Sequence, residues 1–398
     1  MSKKKVFLIS NYFHFASEKS SNRYRELGEL LSKEPDIELE VVTSKFYQRT
    51  YEYRTNLEEL AASCSFKVTF VDESPYHKSI CVNRLLASLS FAKNVLEYIK
   101  SQPKPDLIYQ VVPTLDVANL VSKFAKKNNI PLIIDIQDLW PEAFKMALSI
   151  PVVSDVMFAP FMHKANSIYS RADAVCAVSQ TYVDRALQVN KKCKATQAVY
   201  IGINLPVFDE NVKNNPYPKS EKITLAYCGS LSKSYDIRLV IDALALMENP
   251  PHFLVMGGGN DLEALKEYAQ EKNVDVTFAG FLPYEEMCGM LCSCDMTVNP
   301  ILGSSVASII NKHGDYAACG LPVINTQSSE EYCRLVEDYK MGFNCVGQGA
   351  QALAEKIRVL CEDEALRKDM GKNARRCAEE KFNRINTYPK LVKLIKEL

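Results

Sequence analysis

The sequence predicts an α/β protein with two parallel sheets, each covered by helices on both faces. Short apolar runs alternate with helix-length segments in which apolar residues recur at helical spacing, the pattern of βα units. This alternation runs through residues 1–204, is interrupted over residues 205–220 and starts afresh at residue 221. A chain of 398 residues is also long enough to form two cores. We therefore predict two domains of similar size with a ligand-binding cleft between them.

The predicted elements follow the chain in that order. In the first domain we predict strands at residues 6–10, 39–43, 66–71, 107–112, 132–136, 174–178 and 198–201, and helices at 20–33, 82–101 and 115–128. Residues 205–220, LPVFDENVKNNPYPKS, contain three prolines and three asparagines without an apolar period, which is typical of a linker. In the second domain, over 221–385, we predict strands at 223–228, 253–256, 276–279, 296–299, 323–325 and 342–346, and helices at 236–247, 260–272, 284–293, 349–361 and 363–381.

The charge balance excludes a protein that attracts polyanions with its whole surface. Lys and Arg total 48 and Asp and Glu total 48, so the formal net charge is zero. We predict no nucleic-acid partner, and any bound anion must be held by a few placed groups. Hydrophobic residues make up 47% and charged residues 24%, as in ordinary folded proteins. No run of 18 apolar residues predicts a membrane-spanning helix.

The cysteines indicate reduced thiols in a cytoplasmic protein. There are 13, an odd number, and they are spread along the chain without a CxxC pattern. The densest group, Cys288, Cys292 and Cys294, has no nearby histidine to complete a zinc site. We predict neither a disulfide framework nor a bound metal.

Two glycine-containing turns follow predicted strands in the second domain. Gly229 opens the loop GSLSKSYD before a helix, so backbone N–H groups and the helix N-terminus could receive a phosphate, and Lys233 could add a charge. A generic βα turn is the alternative. A second cluster, with Gly258 at its centre, follows the strand FLVM. Neither turn has the GxGxxG pattern, and the turn after the first strand contains no glycine, which disfavours a nicotinamide dehydrogenase.

Residues 305–326, SVASIINKHGDYAACGLPVINT, carry a polar patch at helical spacing. The Asn311 amide and the Lys312 ammonium can bind phosphate oxygens, and the Asp315 carboxylate can accept hydrogen bonds from the vicinal hydroxyls of a sugar. A solvated helix face would give the same pattern and remains open as an alternative.

In the first domain, the strand LIIDI leads directly to Asp138 and to Trp140, the single tryptophan. A carboxylate at the end of a strand could orient or deprotonate a hydroxyl nucleophile, or it could simply cap the segment that follows. The five histidines do not cluster and no GxSxG motif occurs, so serine hydrolase and His-ligated metalloenzyme chemistry have no motif behind them.

These segments resemble the GT-B glycosyltransferases, within them the retaining enzymes of glycosyltransferase family 4, and most of all the subgroup acting in capsule, exopolysaccharide and O-antigen synthesis. The segment DIQDLWPEA at 135–143 resembles that subgroup's DLWPE element, and Asn22 with Arg23 at the start of the first helix is also similar. Five ordered segments resemble the family's later motifs: DAVCAVS at 173–179, YCGSLSKSYD at 227–236, LVMGGG at 254–259, VTFAGFLP at 276–283 and NKHGDYAACGLPVI at 311–324.

The chain also departs from the family pattern. Of the family's Glu-x7-Glu pair, the second position holds Asp315 and the first holds Ala307. The Arg and Lys that usually bind the diphosphate correspond to Ser230 and Tyr235, which leaves Lys233 and Lys312 as the available cations. Beyond the following strand, Glu330 or Glu331 occupies the place of a family donor contact, and the sequence does not decide between them.

The resemblance implies two Rossmann-like domains, an acceptor domain over 1–204 and a donor domain over 221–385, with a last helix at 386–398 that crosses back to the first domain. It implies transfer of a sugar from a nucleotide diphosphate, such as a UDP- or GDP-sugar, to a hydroxyl of a lipid-linked glycan with retention of configuration. Gly229, Ser230, Lys233, Gly258, Asn311, Lys312, Asp315 and Glu330 would bind the donor. Asn22, Arg23 and Trp140 would lie on the acceptor side, with Asp138 orienting the hydroxyl. No metal or other cofactor is implied.

Two other functions, and a lipid contact by one or both of two segments, remain as hypotheses. A nucleotide-sugar 2-epimerase shares the architecture, and a non-catalytic glycan-binding protein would fit the missing first Glu. The apolar segment 144–162 and the Tyr- and Arg-containing segment 46–54 could contact a lipid carrier or the membrane, with a core helix and an ordinary loop as the alternatives.

Overall fold

The structure is a computed structural model that describes residues 3–18, 23–78, 81–143, 151–302 and 308–398, with the backbone alone over 151–155. The chain divides into two compact units. The first comprises Met1–Val199 together with Tyr388–Leu398, and the second comprises Tyr200–Thr387.

The first unit is built on a parallel sheet. Among the described residues its strand order is β5-β2-β1-β6-β7-β8-β9. The strands are β1 (Lys4–Ile9), β2 (Ile37–Ser44), β5 (Lys67–Val71), β6 (Leu107–Val112), β7 (Leu132–Ile136), β8 (Ala174–Ala177) and β9 (Ala195–Ala198). The central strands β6 and β7 are buried over their whole length, which explains why their sequences are mostly apolar. A separate antiparallel hairpin pairs β3 (Phe46–Tyr47) with β4 (Glu52–Tyr53).

Helices cover both faces of this sheet. They are α1 (Arg23–Ser32), α2 (Leu57–Ala62), α3 (Val82–Ser101), α4 (Leu115–Lys127), α5 (Pro151–Tyr169), α6 (Gln180–Leu187) and α16 (Pro389–Glu397). Because parallel crossovers are right-handed, α1 and α2 lie on one face and α3 to α6 on the other. The C-terminal helix α16 packs beside α1 through a core that includes Leu27, Leu31, Leu391 and Ile395.

The second unit contains a parallel sheet of order β12-β11-β10-β13-β14-β15. The strands are β10 (Thr224–Cys228), β11 (His252–Met256), β12 (Val276–Gly280), β13 (Met296–Asn299), β14 (Val323–Asn325) and β15 (Gly342–Asn344). The helices are α7 (Leu205–Asn214), α8 (Ile237–Ala245), α9 (Leu262–Glu271), α10 (Tyr284–Cys292), α11 (Asn311–Ala318), α12 (Glu330–Tyr339), α13 (Gly349–Glu362), α14 (Glu364–Cys377) and α15 (Arg384–Thr387). Apolar clusters lie on both faces of the sheet. Its carboxyl edge therefore remains as a place for a ligand.

The predicted linker over 205–220 is wrong for its first part, because residues 205–214 form α7. The Asn204 side chain caps this helix by accepting a hydrogen bond from the Val207 N–H at 3.4 Å, and Pro206 lies in its first turn. Leu205 and Phe208 anchor the helix in the core. Two buried side chains are too few to create the apolar period on which the prediction depended.

The segment 46–54 is also not an ordinary loop. Phe46 is 1% exposed and Arg54 is 9% exposed. The Arg54 guanidinium donates to the Glu18 carboxylate at 2.6 Å and to the backbone oxygens of Ser44 and Phe13 at 2.6 and 2.8 Å. The arginine at its end therefore joins the hairpin to the first unit instead of facing a lipid.

Candidate functional site

An open cavity of about 460 Å³ lies at the carboxyl edge of the second sheet. The ends of β10 and β11 form its floor, and the segment after β12, α10 and the start of α11 form its walls. Carboxyl edges of parallel strands are the usual ligand sites of such sheets. Predicted donor-binding residues, among them Gly229, Lys312 and Asp315, line this cavity, and we call it the donor pocket.

Two strand-end turns meet at the floor of the donor pocket. Gly229 has φ +140° and Gly257 has φ +145°, conformations that L side chains rarely adopt. A Cβ on Gly257 would lie 1.8 Å from the Gly229 carbonyl oxygen, and a Cβ on Gly229 would lie 2.6 Å from the Lys312 Nζ. Only glycine allows the two turns and the lysine to come this close.

We expected the backbone N–H groups of these turns to be free to bind a phosphate, but two of them already donate hydrogen bonds within the protein. The Gly229 N–H donates to the Met256 carbonyl at 2.9 Å, and the Gly257 N–H donates to the Gly280 carbonyl at 2.7 Å. Neither is therefore available to a phosphate. In the described part of the chain, no backbone oxygen accepts a hydrogen bond from the N–H of Ser230 or Gly258, so these two donors are the better candidates.

Gly257→Ala is expected to destabilise the protein by at least about 2 kcal/mol, because the new methyl group meets a carbonyl oxygen and the backbone conformation is strained. Gly258→Ala is the matched control. A Cβ there meets nothing within 4 Å, so its free energy of unfolding should change by less than about 1 kcal/mol. Urea unfolding of both variants measures the difference, and equal stability of the two would contradict this geometry.

Lys312, the second residue of α11, places a buried cation at the pocket. Lys312 is 8% exposed, and its Nζ donates to the Tyr227 hydroxyl at 3.1 Å. The Nζ lies 4.2 Å from the ring centroid of Tyr227 and 3.8 Å from that of Tyr235. Burial lowers the pKa of Lys312 to about 8. The two aromatic faces hold the ammonium beside Gly229, where a phosphate oxygen would replace its missing hydration.

Asp315 lies one turn further along α11. The Tyr284 hydroxyl donates to its Oδ1 at 2.8 Å, which leaves its other oxygen for a ligand. Burial raises the pKa of Asp315 to about 6, against the opposing effects of the Tyr284 hydrogen bond and the positive charges of Arg384 and Lys312. A buried ammonium group and a carboxylate therefore lie in one pocket.

Part of the lining of the donor pocket is apolar. Phe281, Leu282 and Met287 belong to it, and the Phe281 side chain is 89% exposed. Polar and apolar lining residues in one cavity suit a ligand that combines a charged group with a flat ring.

Some of the other predicted donor residues line the donor pocket and some do not. Ser230, Gly258 and Asn311 line the donor pocket. Lys233 is exposed and does not line it, so the expected contribution of this lysine is not supported. Neither Glu330 nor Glu331 lines the donor pocket. The Glu330 side chain is 87% exposed and pairs with Arg334, whereas Glu331 accepts a hydrogen bond from Ser308 at 3.0 Å. The donor contact of Glu330 therefore stays a prediction. Ala307 lies outside the described residues.

Two of the residues predicted for the acceptor side, Asp138 and Trp140, lie at the carboxyl edge of the first sheet. Asp138 follows β7, and its Oδ2 accepts a hydrogen bond from the Trp140 indole N–H at 3.1 Å. Burial raises the pKa of Asp138. The Arg84 guanidinium lies 5.2 Å from the Trp140 ring centroid. Asp138 and Trp140 are thus close together, as predicted, whereas Asn22 lies outside the described residues.

Arg23 is not the acceptor-side group that we predicted. It is 4% exposed, and its Nε donates to the Asp135 carboxylate at 3.0 Å while its Nη1 donates to the Val199 carbonyl at 2.8 Å. Asp135 points from β7 into the face covered by α1 and is completely buried. The sequence shows Arg23 at the helix start but not the buried carboxylate that it neutralises.

Three tyrosines at the donor pocket carried no signal as site residues in the sequence: Tyr235 lines it, and Tyr227 and Tyr284 contact the lining residues Lys312 and Asp315. Tyr227 and Tyr284 read as strand and helix residues, and Tyr235 stood out only as a departure from a family pattern. Their roles depend on which elements the fold brings together.

Among the described residues, no group of three or more His, Cys, Asp and Glu side chains could hold a metal ion. Within the same ranges, no helix is long and apolar enough to cross a bilayer.

Comparison with known proteins places most of the second unit in a described family. Residues 208–377 match the family described as "Glycosyl transferases group 1". No curated protein matches the sequence. Among solved structures, HepE from Anabaena in complex with UDP has a TM-score of 0.69 at 17% identity, covering 99% of this chain and 100% of its own. Sucrose-phosphate synthase from Thermosynechococcus elongatus has a TM-score of 0.74 at 19% identity, covering 99% of each chain.

A third similar structure is WaaG, described as a glycosyltransferase involved in lipopolysaccharide biosynthesis, with a TM-score of 0.62 at 14% identity, covering 98% of this chain and 99% of its own. Identities this low establish the shared fold, and the predicted α/β GT-B fold is thereby confirmed. The group 1 domain over residues 208–377, together with that fold, identifies the chain as a glycosyltransferase.

Proposed function

We propose that the protein transfers a sugar, with retention of configuration, from a nucleotide diphosphate to a hydroxyl of a lipid-linked glycan in bacterial surface polysaccharide synthesis. One observation carries the proposal: the buried Lys312 ammonium lies beside the Gly229 turn in the same pocket as the Asp315 carboxylate. The solved structures of HepE contain UDP-glucose in one case and UDP with glucose in another. These complexes support a uridine nucleotide as the first donor to test.

The lining residues of the donor pocket suit the separate parts of that donor. Lys312 and the N–H groups of Ser230 and Gly258 would meet the diphosphate, because charge-assisted hydrogen bonds are the strongest available there. Asp315 would accept hydrogen bonds from the ribose hydroxyls. Phe281 and Leu282 would cover the base. This assignment replaces the missing arginine and lysine of the family pattern with one lysine from a different element.

Transfer then needs little covalent chemistry from the protein. The bond between the sugar C1 and the diphosphate oxygen breaks, and the acceptor oxygen forms its bond to C1 on the same face. The proton of the acceptor hydroxyl passes to the departing phosphate oxygen, and a nucleoside diphosphate is released. Lys312 would stabilise the charge that develops on that phosphate. We propose that this reaction proceeds without a metal, so activity should persist in EDTA.

The acceptor assignment is supported by the resemblance of residues 135–143 to enzymes of surface polysaccharide synthesis. In the first unit, the Trp140 indole holds Asp138 at the carboxyl edge of the sheet. We propose that Asp138 orients the acceptor hydroxyl. Asp138→Asn should therefore slow sugar transfer without weakening binding of the nucleotide sugar.

The proposal is tested with a thermal-shift panel of UDP-, GDP-, dTDP- and CMP-sugars, followed by an assay of nucleoside diphosphate release. One nucleotide should raise the melting temperature, and release should depend on a lipid-linked acceptor. Release of nucleoside diphosphate without an acceptor, together with conversion of the sugar to its 2-epimer, would instead identify a 2-epimerase. If no nucleotide sugar shifts the melting temperature, the proposal fails and a glycan-binding protein becomes the better interpretation.

The pKa values of the pocket predict how donor affinity depends on pH. Lys312, with a pKa of about 8, loses its charge as the pH rises through that value. Asp315, with a pKa of about 6, loses its charge as the pH falls through that value. Affinity should therefore be highest between these two values and should fall by up to about tenfold per pH unit outside them. Calorimetric titration with UDP-glucose at several pH values measures this affinity. The diphosphate of UDP-glucose keeps one charge state across this range, so the ligand itself adds no pH dependence. A flat profile would contradict these assignments.

A further inference from the structure

His313 is a buried histidine that the proposed reaction does not use. It is the third residue of α11 and follows Lys312 directly, but it does not line the donor pocket. The residue is 1% exposed. Burial lowers the pKa of its imidazole well below the ordinary value, and the positive charge of Lys312 acts in the same direction. The ring is therefore neutral near pH 7, and it acts through hydrogen bonds and packing.

One contact of the ring is with the start of its own helix. The His313 Nδ1 accepts a hydrogen bond from the backbone N–H of Ile310, the residue before α11, at 3.3 Å. A side chain at the third helical position that reaches back in this way forms half of a capping box. The contact fixes the direction in which the chain enters α11, two residues before Lys312.

The other contacts of the ring attach it to neighbouring elements of the second unit. The ring stacks on Tyr332 of α12, with the centroids 3.4 Å apart and an interplanar angle of 3°. Its Nε2 lies 3.1 Å from the Nδ2 of Asn299, the last residue of β13. That Nδ2 also donates to the Oδ1 of Asn325, the last residue of β14, at 2.9 Å. The imidazole therefore joins the first turn of α11 to the ends of two strands.

The same cluster holds the residues that precede α11. The Gln327 N–H donates to the Asn325 Oδ1 at 3.0 Å, and the Gln327 Nε2 donates to the Ser308 carbonyl at 3.2 Å. The polar residues Asn299, Ser308, Asn325 and Gln327 are each at most 3% exposed. Water does not compete for these hydrogen bonds, so the cluster holds its geometry firmly.

Lys312 needs such a support because its position tolerates little change. Its Nζ lies 3.8 Å from the ring centroid of Tyr235 and 4.2 Å from that of Tyr227. A Cβ on Gly229 would already lie 2.6 Å from this Nζ. A displacement of α11 by about 1 Å would break these contacts or expose the ammonium to water, and groups that bind a reacting ligand are sensitive to displacements of that size.

We propose that His313 is a positioning residue of the donor pocket: its ring fixes the first turn of α11 against the ends of β13 and β14 and thereby holds the Lys312 ammonium at the Gly229 turn. Any effect on the nucleotide passes through Lys312, so this step of the inference rests on the proposed function. The placement of the lysine itself can be measured without a ligand.

The test replaces His313 by phenylalanine, which keeps an aromatic ring over Tyr332 but removes the acceptor for the Ile310 N–H. Calorimetric titration should show UDP binding weakened roughly tenfold. In the ligand-free protein, NMR of lysine labelled with ¹³C at Cε should show the pKa of Lys312 rising from about 8 toward the ordinary value of about 10.4. The Lys312 signal is identified by its absence in Lys312→Met.

The other groups around the ammonium are the same in both proteins. They are the ring faces of Tyr227 and Tyr235, the Asp315 carboxylate and the Cys228 thiol. A changed titration of Lys312 therefore reports a changed position of the lysine. A loss of stability alone would not move this titration.

Two control variants separate positioning from stability. His313→Gln supplies an acceptor again, because glutamine at the third helical position commonly accepts this N–H, and it should recover most of the lost affinity and the low pKa of Lys312. Leu360→Ala empties part of the core in α13, away from the donor pocket. It should lower the melting temperature and leave UDP affinity and the Lys312 titration within about twofold of the wild type. If His313→Phe does not fold, His313→Ala gives the same comparison, since water can fill a vacated polar site.

The outcomes decide between the explanations. Wild-type affinity and titration in His313→Phe overturn the inference, and so does an equal change in Leu360→Ala, which would make the effect one of stability. Failure of His313→Gln to recover the affinity and the pKa also overturns it, because the hydrogen bond to Ile310 would then not be the means. If the Lys312 titration responds as expected but the wild type binds no UDP, the placement of the lysine stands and the proposed function fails.

Discussion

Replacing Lys312 by methionine is expected to weaken UDP binding by roughly 10- to 100-fold, the loss of one charge-assisted hydrogen bond to the diphosphate. Methionine keeps most of the side-chain stem between the rings of Tyr227 and Tyr235 but removes the charge. The ammonium is buried without a carboxylate hydrogen-bonded to it in the described part of the chain, and burial lowers its pKa. Losing it should therefore leave the melting temperature of the free protein unchanged or slightly raised. Calorimetric titration and thermal unfolding of the same sample measure both effects.

Lys233→Met is the matched control, because it removes a lysine from the loop that the sequence made an equally good candidate. Lys233 is exposed and lies outside the donor pocket, so UDP affinity should change less than about threefold. A larger loss in Lys233→Met than in Lys312→Met would show that the diphosphate binds at the loop and not at α11.

Replacing Arg23 by methionine is expected to destabilise the first unit by about 3–5 kcal/mol, because Asp135 would remain buried without its countercharge. The pair is fully enclosed: the two side chains are 3% and 0% exposed. The Tyr109 hydroxyl also donates to Asp135 at 2.7 Å, but a neutral hydrogen bond does not replace the lost cation. Urea unfolding followed by the fluorescence of the single tryptophan, Trp140, reports on this unit.

The exposed ion pair between Lys393 and Glu397 of α16 provides the control in the same unit. Its Nζ–Oε1 distance is 3.6 Å, and the two side chains are 74% and 60% exposed. Lys393→Met should therefore cost less than about 1 kcal/mol. If Arg23→Met is no more costly than Lys393→Met, Arg23 does not have the structural role assigned here, and a role toward the acceptor would again be open.

The strands could be predicted from the sequence because buried parallel strands are short and mostly apolar. The bounds of β6, β7, β13 and β14 agree with the predicted ranges to the residue. Helix α7 was missed because its stability comes from an asparagine cap and two buried side chains, which produce no period. Strand β9 begins three residues before its predicted position, at Ala195, because pairing with β8 sets its register.

The donor pocket was partly predictable for a similar reason. Lys312 and Asp315 lie one turn apart on one helix, so their spacing in the sequence already places them together. Tyr227, Tyr235 and Tyr284 come from a strand, a loop and another helix. Only the folded chain brings them to the lysine and the aspartate. The choice between Lys233 and Lys312, and between Glu330 and Glu331, likewise depends on side-chain direction, which sequence spacing does not contain.

The most direct test of the account is a crystal structure of the protein with bound UDP. We expect the diphosphate within about 3 Å of the Lys312 Nζ, at the N–H groups of Ser230 and Gly258. The ribose should lie at Asp315 and the base against Phe281. A diphosphate bound elsewhere, with Lys312 still enclosed between Tyr227 and Tyr235 and touching no ligand atom, would contradict the central claim that this lysine replaces the missing basic residues of the family pattern.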